Sequence, residues 1–234
     1  MESNVSGFNG FKPSFFKFFR ELSDNNNRPW FTENKPRYED DVVAPLLAFI
    51  EEMAPRLKRA SKYYLAIPKK TGGSMFRIYR DVRFSKDGRP YKEHGACQFR
   101  HQLGKDAHAP GFYVHLQPRQ VFFGGGIWTP PGPELLKIRE TIADSPVAWG
   151  KIINDKKLKD MFGGIRGNGL KTAPRGFDPE HKHIEDLRRK SFFLMREGTQ
   201  KLAGSAAFAD EVESAFMACR PLMRFISHAV NVPF

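Results

Sequence analysis

Basic side chains are concentrated in a short stretch near the middle of the chain. Residues 77–87 read RIYRDVRFSKD, and residues 90–92 read PYK. An arginine side chain offers a planar fork that binds a phosphate or a carboxylate through two hydrogen bonds, and an aspartate between two arginines can hold one fork in position. This stretch therefore predicts a binding site for a small anion.

The backbone conformation decides which of these side chains share a face. In an extended chain, one side carries Arg77, Tyr79, Asp81, Arg83 and Ser85. In a helix, Arg77 and Asp81 still meet, now beside Arg80. A competing interpretation is a solvated surface segment whose ion pairs each contribute about 1 kcal/mol or less. Spacing alone does not separate the two interpretations.

The charge of the chain is unevenly spread. Its 234 residues include 38 Lys and Arg against 26 Asp and Glu, a formal net charge of +12. Residues 69–105 contain ten basic and three acidic side chains, so more than half of the excess lies in one stretch. The excess favours an anionic partner, although a solvated lysine-rich face gives the same pattern in one dimension.

A glycine run and two histidines add further candidates. Gly125 is the centre of three consecutive glycines that precede Trp128. Their amides suit a nest for an anion, but the glycines equally suit a bulge that bends the sheet against Trp128. His115 lies on the polar side of a predicted strand, and His94 lies beside the basic stretch. Each suits either a general base or a structural hydrogen bond.

Several familiar chemistries lack their motifs. The sequence contains no Gly-Lys-Ser/Thr phosphate loop, no GxGxxG, no HExxH and no nucleophile elbow. His181 and His183 lie among acidic residues without a known ligand spacing, so we expect no metal and no cofactor. Cys97 and Cys219 have no CxxC partner, which predicts free thiols and a reducing cytoplasm. No secretory signal or bilayer-length apolar run is present, so no membrane partner is expected.

The spacing of apolar residues predicts the helices and strands that position these candidate residues. Apolar residues recur every three or four positions from Pro13 to Leu22, before Asp24-Asn25-Asn26-Asn27 ends the pattern, and again after Pro36. This spacing predicts two helices, the second kinked or divided at Pro45. Short apolar runs over 63–123 predict strands, including a hairpin with Pro118-Arg119 at its turn.

The order of helices, strands and helices predicts an α+β fold, with a central, mainly antiparallel sheet flanked by N-terminal and C-terminal helices. We interpret residues 1–234 as a single domain, helical over 10–60, sheet-rich over 61–128, and helical with an irregular segment over 129–234. The residues expected in the core are Phe15, Phe19, Leu46, Ile50, Phe216 and Met223.

Several motifs resemble one known family. They are the stretch at 77–87 with Pro90-Tyr91-Lys92, Asn26-Asn27 with Trp30-Phe31, the glycine run with Trp128 and Pro130, and Pro174-Arg175-Gly176-Phe177 with Asp178. Together they resemble domain-of-unknown-function family 2461 along nearly the whole chain. That family has no established activity, so the resemblance implies fold context and candidate positions but no reaction.

The candidate ligand-binding residues are therefore Arg77, Arg80, Asp81, Arg83, Lys86, Tyr91, Lys92, His115, Gly125 and Trp128. We expect them to bind or turn over a small ligand that carries a phosphate or a carboxylate. Two alternatives stay open: a nucleic-acid-binding protein that uses residues 69–105, and a non-catalytic protein whose basic face binds an acidic partner. Neither an enzymatic reaction nor an oligomeric state is assigned by the sequence.

Overall fold

Helices lie at both ends of the chain, and most of the strands lie between them. A computed structural model describes residues 7–83, 87–104 and 110–234. The helices are α1 (Pro13–Asp24), α2 (Arg28–Glu33), α3 (Lys35–Tyr38), α4 (Ala44–Ala60), α5 (Gly132–Asp144), α6 (Pro146–Ile153), α7 (Lys156–Phe162), α8 (Ile184–Leu187), α9 (Gln200–Ala203) and α10 (Phe208–Ala229). The strands are β1 (Tyr64–Leu65), β2 (Gly95–His101), β3 (Gly111–Gln117), β4 (Gln120–Ile127) and β5 (Phe192–Gly198).

Within the described residues, the strands form one sheet in the order β1-β2-β3-β4-β5. Each pair of neighbouring strands is antiparallel. The predicted hairpin is formed by β3 and β4, where Gln117 pairs with Gln120 and Arg119 takes a φ of 66° in the turn. The prediction of an α+β fold with a central antiparallel sheet is confirmed.

The first part of the basic stretch is an extended edge of this sheet. Met75 forms an antiparallel bridge with Cys97 of β2, and Tyr79 forms one with Tyr91. The amide of Lys92 donates a hydrogen bond of 2.7 Å to the carbonyl of Ile78. Of the two backbone conformations considered above, the extended one is therefore correct for this part.

One face of the sheet is buried under helices from both ends of the chain. The Phe216 ring of α10 packs on Phe112 of β3 with centroids 4.6 Å apart, and Phe208 packs on Phe123 of β4 at 5.7 Å. Large rings in tilted contact account for the packing of this Phe-rich chain. The predicted core is confirmed, because all of its members are buried: Phe15, Phe19, Leu46, Ile50, Phe216 and Met223.

The strand register divides the remaining side chains between the two faces. Val114 and Phe123 are cross-strand partners, and both are buried toward the helices. Successive residues of a strand point to opposite faces. The next pair of partners, His115 and Phe122, therefore lies on the face away from α10.

A kink or a division of the second helix was predicted at Pro45, and the structure instead has an unbroken helical run whose winding changes there. Glu39–Val43 forms a turn of π-helix, and α4 begins directly after it with Pro45 in its first turn. Proline has no amide hydrogen to donate, so the regular α-helical hydrogen-bond pattern cannot continue through this position. The chain thus changes its winding without leaving the core.

The prediction for residues 129–234, helices with an irregular segment, omits β5. Phe192 and Leu194 of this strand are buried, while Phe193 and Met195 on its other side are half-buried. Because both sides are apolar, the run lacks the polar alternation that identifies a strand with one solvated face.

Gly124 allows β4 and β5 to approach more closely than a side chain would permit. An added Cβ atom at this position would clash with the carbonyl oxygen of Leu194. We expect Gly124→Ala to lower the free energy of unfolding by about 1–3 kcal/mol, as measured by urea denaturation. Gly132→Ala is the matched control, because no atom lies within 4 Å of its added Cβ. Equal stability of the two variants would contradict the close approach.

Candidate functional site

Arg83 is held by a neighbouring carboxylate. Its Nε and Nη2 atoms donate to Oδ1 and Oδ2 of Asp81 at 2.9 and 2.6 Å. These hydrogen bonds lower the pKa of Asp81 to about 2. The aspartate thus orients an arginine fork, as the sequence suggested, but the fork is occupied and the Arg83 side chain is 76% exposed.

Carboxylates also neutralise two other arginines of the basic stretch. Arg80 binds Asp87 at 2.8 Å, and Arg89 binds Asp87 and Glu93, each at 2.6 Å. Hydrogen bonds from Arg89 and then Arg80 hold the pKa of Asp87 below its usual range. Lys86 lies outside the described residues.

Tyr91 joins the basic stretch to the N-terminal helices. Its ring is buried and stacks on Phe31 of α2 with centroids 4.1 Å apart. Asn26 accepts a hydrogen bond from the Tyr91 amide at 3.1 Å and donates to its carbonyl at 3.0 Å. The same Asn26 amide group donates to Glu93 at 3.0 Å. Tyr91 therefore supports the position of its neighbour Lys92 from within the core.

Gly125 lies on the helix-facing side of the sheet. A Cβ atom added to it would lie 2.8 Å from the ring of Phe112 and 3.2 Å from the sulfur of Met223. Gly125 is paired with Phe112 of β3 on one side and with Leu194 of β5 on the other. These contacts give the glycine a packing role under α10.

Trp128 follows β4 and is held in a defined position. Its side chain is 60% exposed, and its ring lies 5.1 Å from that of Phe193. The next residue, Thr129, has a φ of 42°, which a β-branched residue rarely adopts. The Thr129 amide donates to the hydroxyl of the buried Ser191 at 2.9 Å, and this bond stabilises the turn.

Lys92 and Arg100 contact the same aromatic ring. The Lys92 Nζ atom lies 5.4 Å, and the guanidinium carbon of Arg100 6.0 Å, from the centroid of the Phe76 ring. Lys92 also donates to the main-chain carbonyl of Arg77 at 2.7 Å, and Arg100 donates to the side chain of Gln98 at 3.2 Å. Neutral groups therefore position both cations.

Lys92 and Arg100 have no carboxylate partner in the part of the chain that the structure describes. Both side chains are half-buried. Burial, and then repulsion from Arg77, lowers the pKa of Lys92. A half-buried charge without a counter-ion is unfavourable, and a bound anion would remove that cost.

His115 is enclosed by its neighbours. Its Nδ1 lies 3.1 Å from the hydroxyl of Tyr113, and its Nε2 lies 3.1 Å from Oε1 of Gln117. Because that oxygen only accepts hydrogen bonds, Nε2 carries the proton and Nδ1 accepts from Tyr113. The ring stacks on Phe122 at 4.5 Å, and only 7% of the residue is exposed. Burial lowers the pKa of His115, so the imidazole is neutral at pH 7.

His94 packs against His115 with ring centroids 4.3 Å apart. Burial, followed by the influence of His115 and Lys92, lowers the pKa of His94 to about 3. Lys92 therefore carries its charge near the neutral imidazole of His94. We refer to the residues of this surface as the histidine face: Phe76, Lys92, His94, Arg100, Tyr113, His115 and Phe122.

The histidine face contains two of the predicted site residues, Lys92 and His115. Arg77 accepts a hydrogen bond from Lys92 at its main-chain carbonyl oxygen, and its charge repels that of Lys92. The other predicted residues have the separate positions given above. Sequence reasoning did not select Phe76, Arg100 or Tyr113. The signal for Arg100 and Tyr113 was the alternation of β2 and β3, which requires the strand register to interpret. Phe76 lies outside both strands.

Two clefts lie elsewhere on the molecule. One, of about 870 Å³, includes Arg196, Asp210 and Glu213 in its walls, and the other, of about 400 Å³, includes Arg175 and Asp178. In the first cleft Arg196 binds Glu211 at 2.7 Å, and Asp210 and Glu213 both bind Arg56. None of the predicted site residues that the structure describes lines either cleft.

Residues 7–83, 87–104 and 110–234 contain no group of three or more His, Cys, Asp or Glu side chains arranged to hold a metal ion. None of their helices has both the length and the apolar character needed to cross a membrane.

Comparison with known proteins gave one match. Residues 14–225 match the family described as conserved hypothetical protein (DUF2461). No curated protein and no solved structure matches the chain.

The buried imidazoles make the protein sensitive to acid. The pKa of His94 and that of His115 lie below 6.5, the value in an unfolded chain. At a pH between 6.5 and the folded pKa, the unfolded state binds more protons than the folded state. The free energy of unfolding therefore falls as the pH falls. The decrease is up to about 1.4 kcal/mol per pH unit for each histidine. We expect His94→Gln to flatten this dependence between about pH 6.5 and 4 in urea titrations.

The control for this experiment is Val147→Ala, which alters an exposed residue of α6 that carries no titratable group. It should leave the slope of stability against pH unchanged. Parallel pH profiles for the wild type and His94→Gln would show that His94 is not held neutral by burial.

Proposed function

This chain belongs to the DUF2461 family, whose description names no activity, and we propose that it binds a small ligand carrying a phosphate or a carboxylate at Lys92 and Arg100. The observation that carries the proposal is the pair of half-buried cations around Phe76, for which the described residues provide no carboxylate partner. By contrast, Arg80 and Arg89 are paired with carboxylates.

The chemistry of the two cations suits such a ligand. The guanidinium of Arg100 presents parallel N–H donors that match the oxygens of a phosphate or carboxylate, while Lys92 supplies a point charge. Phe76 holds both cations by contact with its ring, and such contacts contribute about 0.5–2 kcal/mol each. The site is therefore organised before the ligand arrives, which lowers the entropic cost of binding.

Binding is the part of the function that the geometry supports. A general base works best when its pKa lies near the operating pH. Burial lowers the pKa of His94 to about 3, and both nitrogens of His115 are engaged in hydrogen bonds. Neither imidazole suits proton abstraction at neutral pH, so we propose a binding protein in preference to an enzyme.

The cellular setting is also part of the proposal. Cys97 and Cys219 are free and buried. Burial raises the pKa of both thiols, so they act as apolar core residues. Proteins with free cysteines are typical of reducing compartments, and we place the activity in the cytoplasm.

A thermal-shift experiment tests this proposal. Inorganic phosphate, pyrophosphate and citrate are added to the protein at low salt. A ligand at about one hundred times its dissociation constant adds about 2.7 kcal/mol to the free energy of unfolding, which raises the melting temperature. We expect Lys92→Met and Arg100→Ala each to abolish the shift, and Arg100→Lys to restore part of it, because a point charge replaces the fork.

Two comparisons make the result decisive. Lys92→Met keeps an apolar side chain over Phe76, so a lost shift reports the lost charge and not lost packing. Arg83→Ala removes an exposed, paired arginine and should leave the shift intact. If Arg83→Ala alone abolished the thermal shift, the anion site would lie at Arg83. If no anion produced a thermal shift, the proposal would be contradicted.

A further inference from the structure

A row of side chains crosses the sheet from Arg100 to Arg166. Each residue of this row is the cross-strand partner of the next, in the order Arg100, Gly111, Gly126, Phe193 and Arg166. The last pair is joined by two backbone hydrogen bonds, of 2.8 and 3.2 Å between Arg166 and Phe193. Cross-strand partners project from the same face, so both arginines lie on the side of the histidine face.

The row has cations at its ends and aromatic rings near one end. Phe193 contacts Trp128, and the two glycines between Phe193 and Arg100 contribute no side chain. With strands about 4.8 Å apart, the four steps from Arg100 to Arg166 span about 19 Å. Arg166 is partly engaged, since Glu197 lies 3.7 Å from it, but its side chain is 42% exposed.

We propose that this row binds single-stranded nucleic acid, with phosphates at Arg100 and Arg166 and a base stacked on Trp128. Trp128 is exposed yet fixed by Phe193 and by the turn that Ser191 supports, so little conformational entropy is lost when a base stacks on it. The formal net charge of +12 complements a polyanion.

The length of the row favours a polymer over a small molecule. Two cations about 19 Å apart match repeated phosphates, and stacking on an aromatic ring tolerates any base. A duplex shields its bases within the stack, so a single exposed ring has nothing to bind there. The inference rests on the proposed function in one respect, because Arg100 belongs to both sites.

The test is fluorescence anisotropy with a labelled twelve-residue oligothymidylate at several salt concentrations. Trp128→Ala should weaken binding about 5- to 150-fold and leave the salt slope unchanged, because stacking carries no charge. Arg166→Gln and Arg100→Gln should each reduce the slope of log affinity against log salt by about 0.7. Trp128→Phe should restore part of the affinity.

Matched controls separate this surface from general basicity. One control is Arg119→Gln, which alters an exposed arginine in the β3–β4 turn, and the other is Val147→Ala, which alters an exposed apolar residue of α6. In both variants the loss of oligothymidylate affinity caused by Trp128→Ala should be unchanged. Equal affinity for a twelve-base-pair duplex or for polyglutamate, or an unchanged affinity in Trp128→Ala, would overturn the inference.

The two proposals fail in distinguishable ways. A phosphate-induced thermal shift that depends on Lys92, without oligothymidylate binding, would reject the nucleic-acid surface and retain the small-anion site. Oligothymidylate binding that needs Trp128 and Arg166 but not Lys92, without a shift by phosphate, would do the reverse.

Discussion

Burial of one face of an antiparallel sheet under phenylalanine-rich helices is the constraint on which the rest of this structure depends. Once Val114 and Phe123 are buried beneath α10, the two-residue period of a strand sends their neighbours to the opposite face. Arg100 and His115 therefore lie on that opposite face, where Lys92 contacts the same ring as Arg100. The candidate site is thus a consequence of how the core is packed.

The arginines illustrate how local partners decide which charges remain available. Asp81 lies two residues before Arg83, and Asp87 two residues before Arg89, so each aspartate reaches its arginine within one turn of chain. An anion would have to displace a carboxylate to bind either fork. Arg100 is embedded in a strand whose neighbours are neutral, and its fork is therefore better placed to bind a ligand.

Sequence patterns predicted those parts of the fold in which one side of an element is polar. Helix α1 and the β3–β4 hairpin have such patterns, and both were predicted. Strand β5 was missed because Phe193 and Met195 make its second side apolar as well. Arg100 was missed for a different reason, since only the register of β2 with β3 reveals which side chains share its face. The long-range contacts that create a site are not encoded in local spacing.

The most direct test of the small-anion site is a chemical-shift titration of the isotopically labelled protein with inorganic phosphate, followed in ¹H–¹⁵N spectra. We expect saturable shifts at the amides of Lys92, His94 and Arg100 and at the guanidinium Nε of Arg100, with little change at Arg80 and Arg83. Shifts confined to Arg80 and Arg83, or no saturable shifts at all, would contradict binding at Lys92 and Arg100.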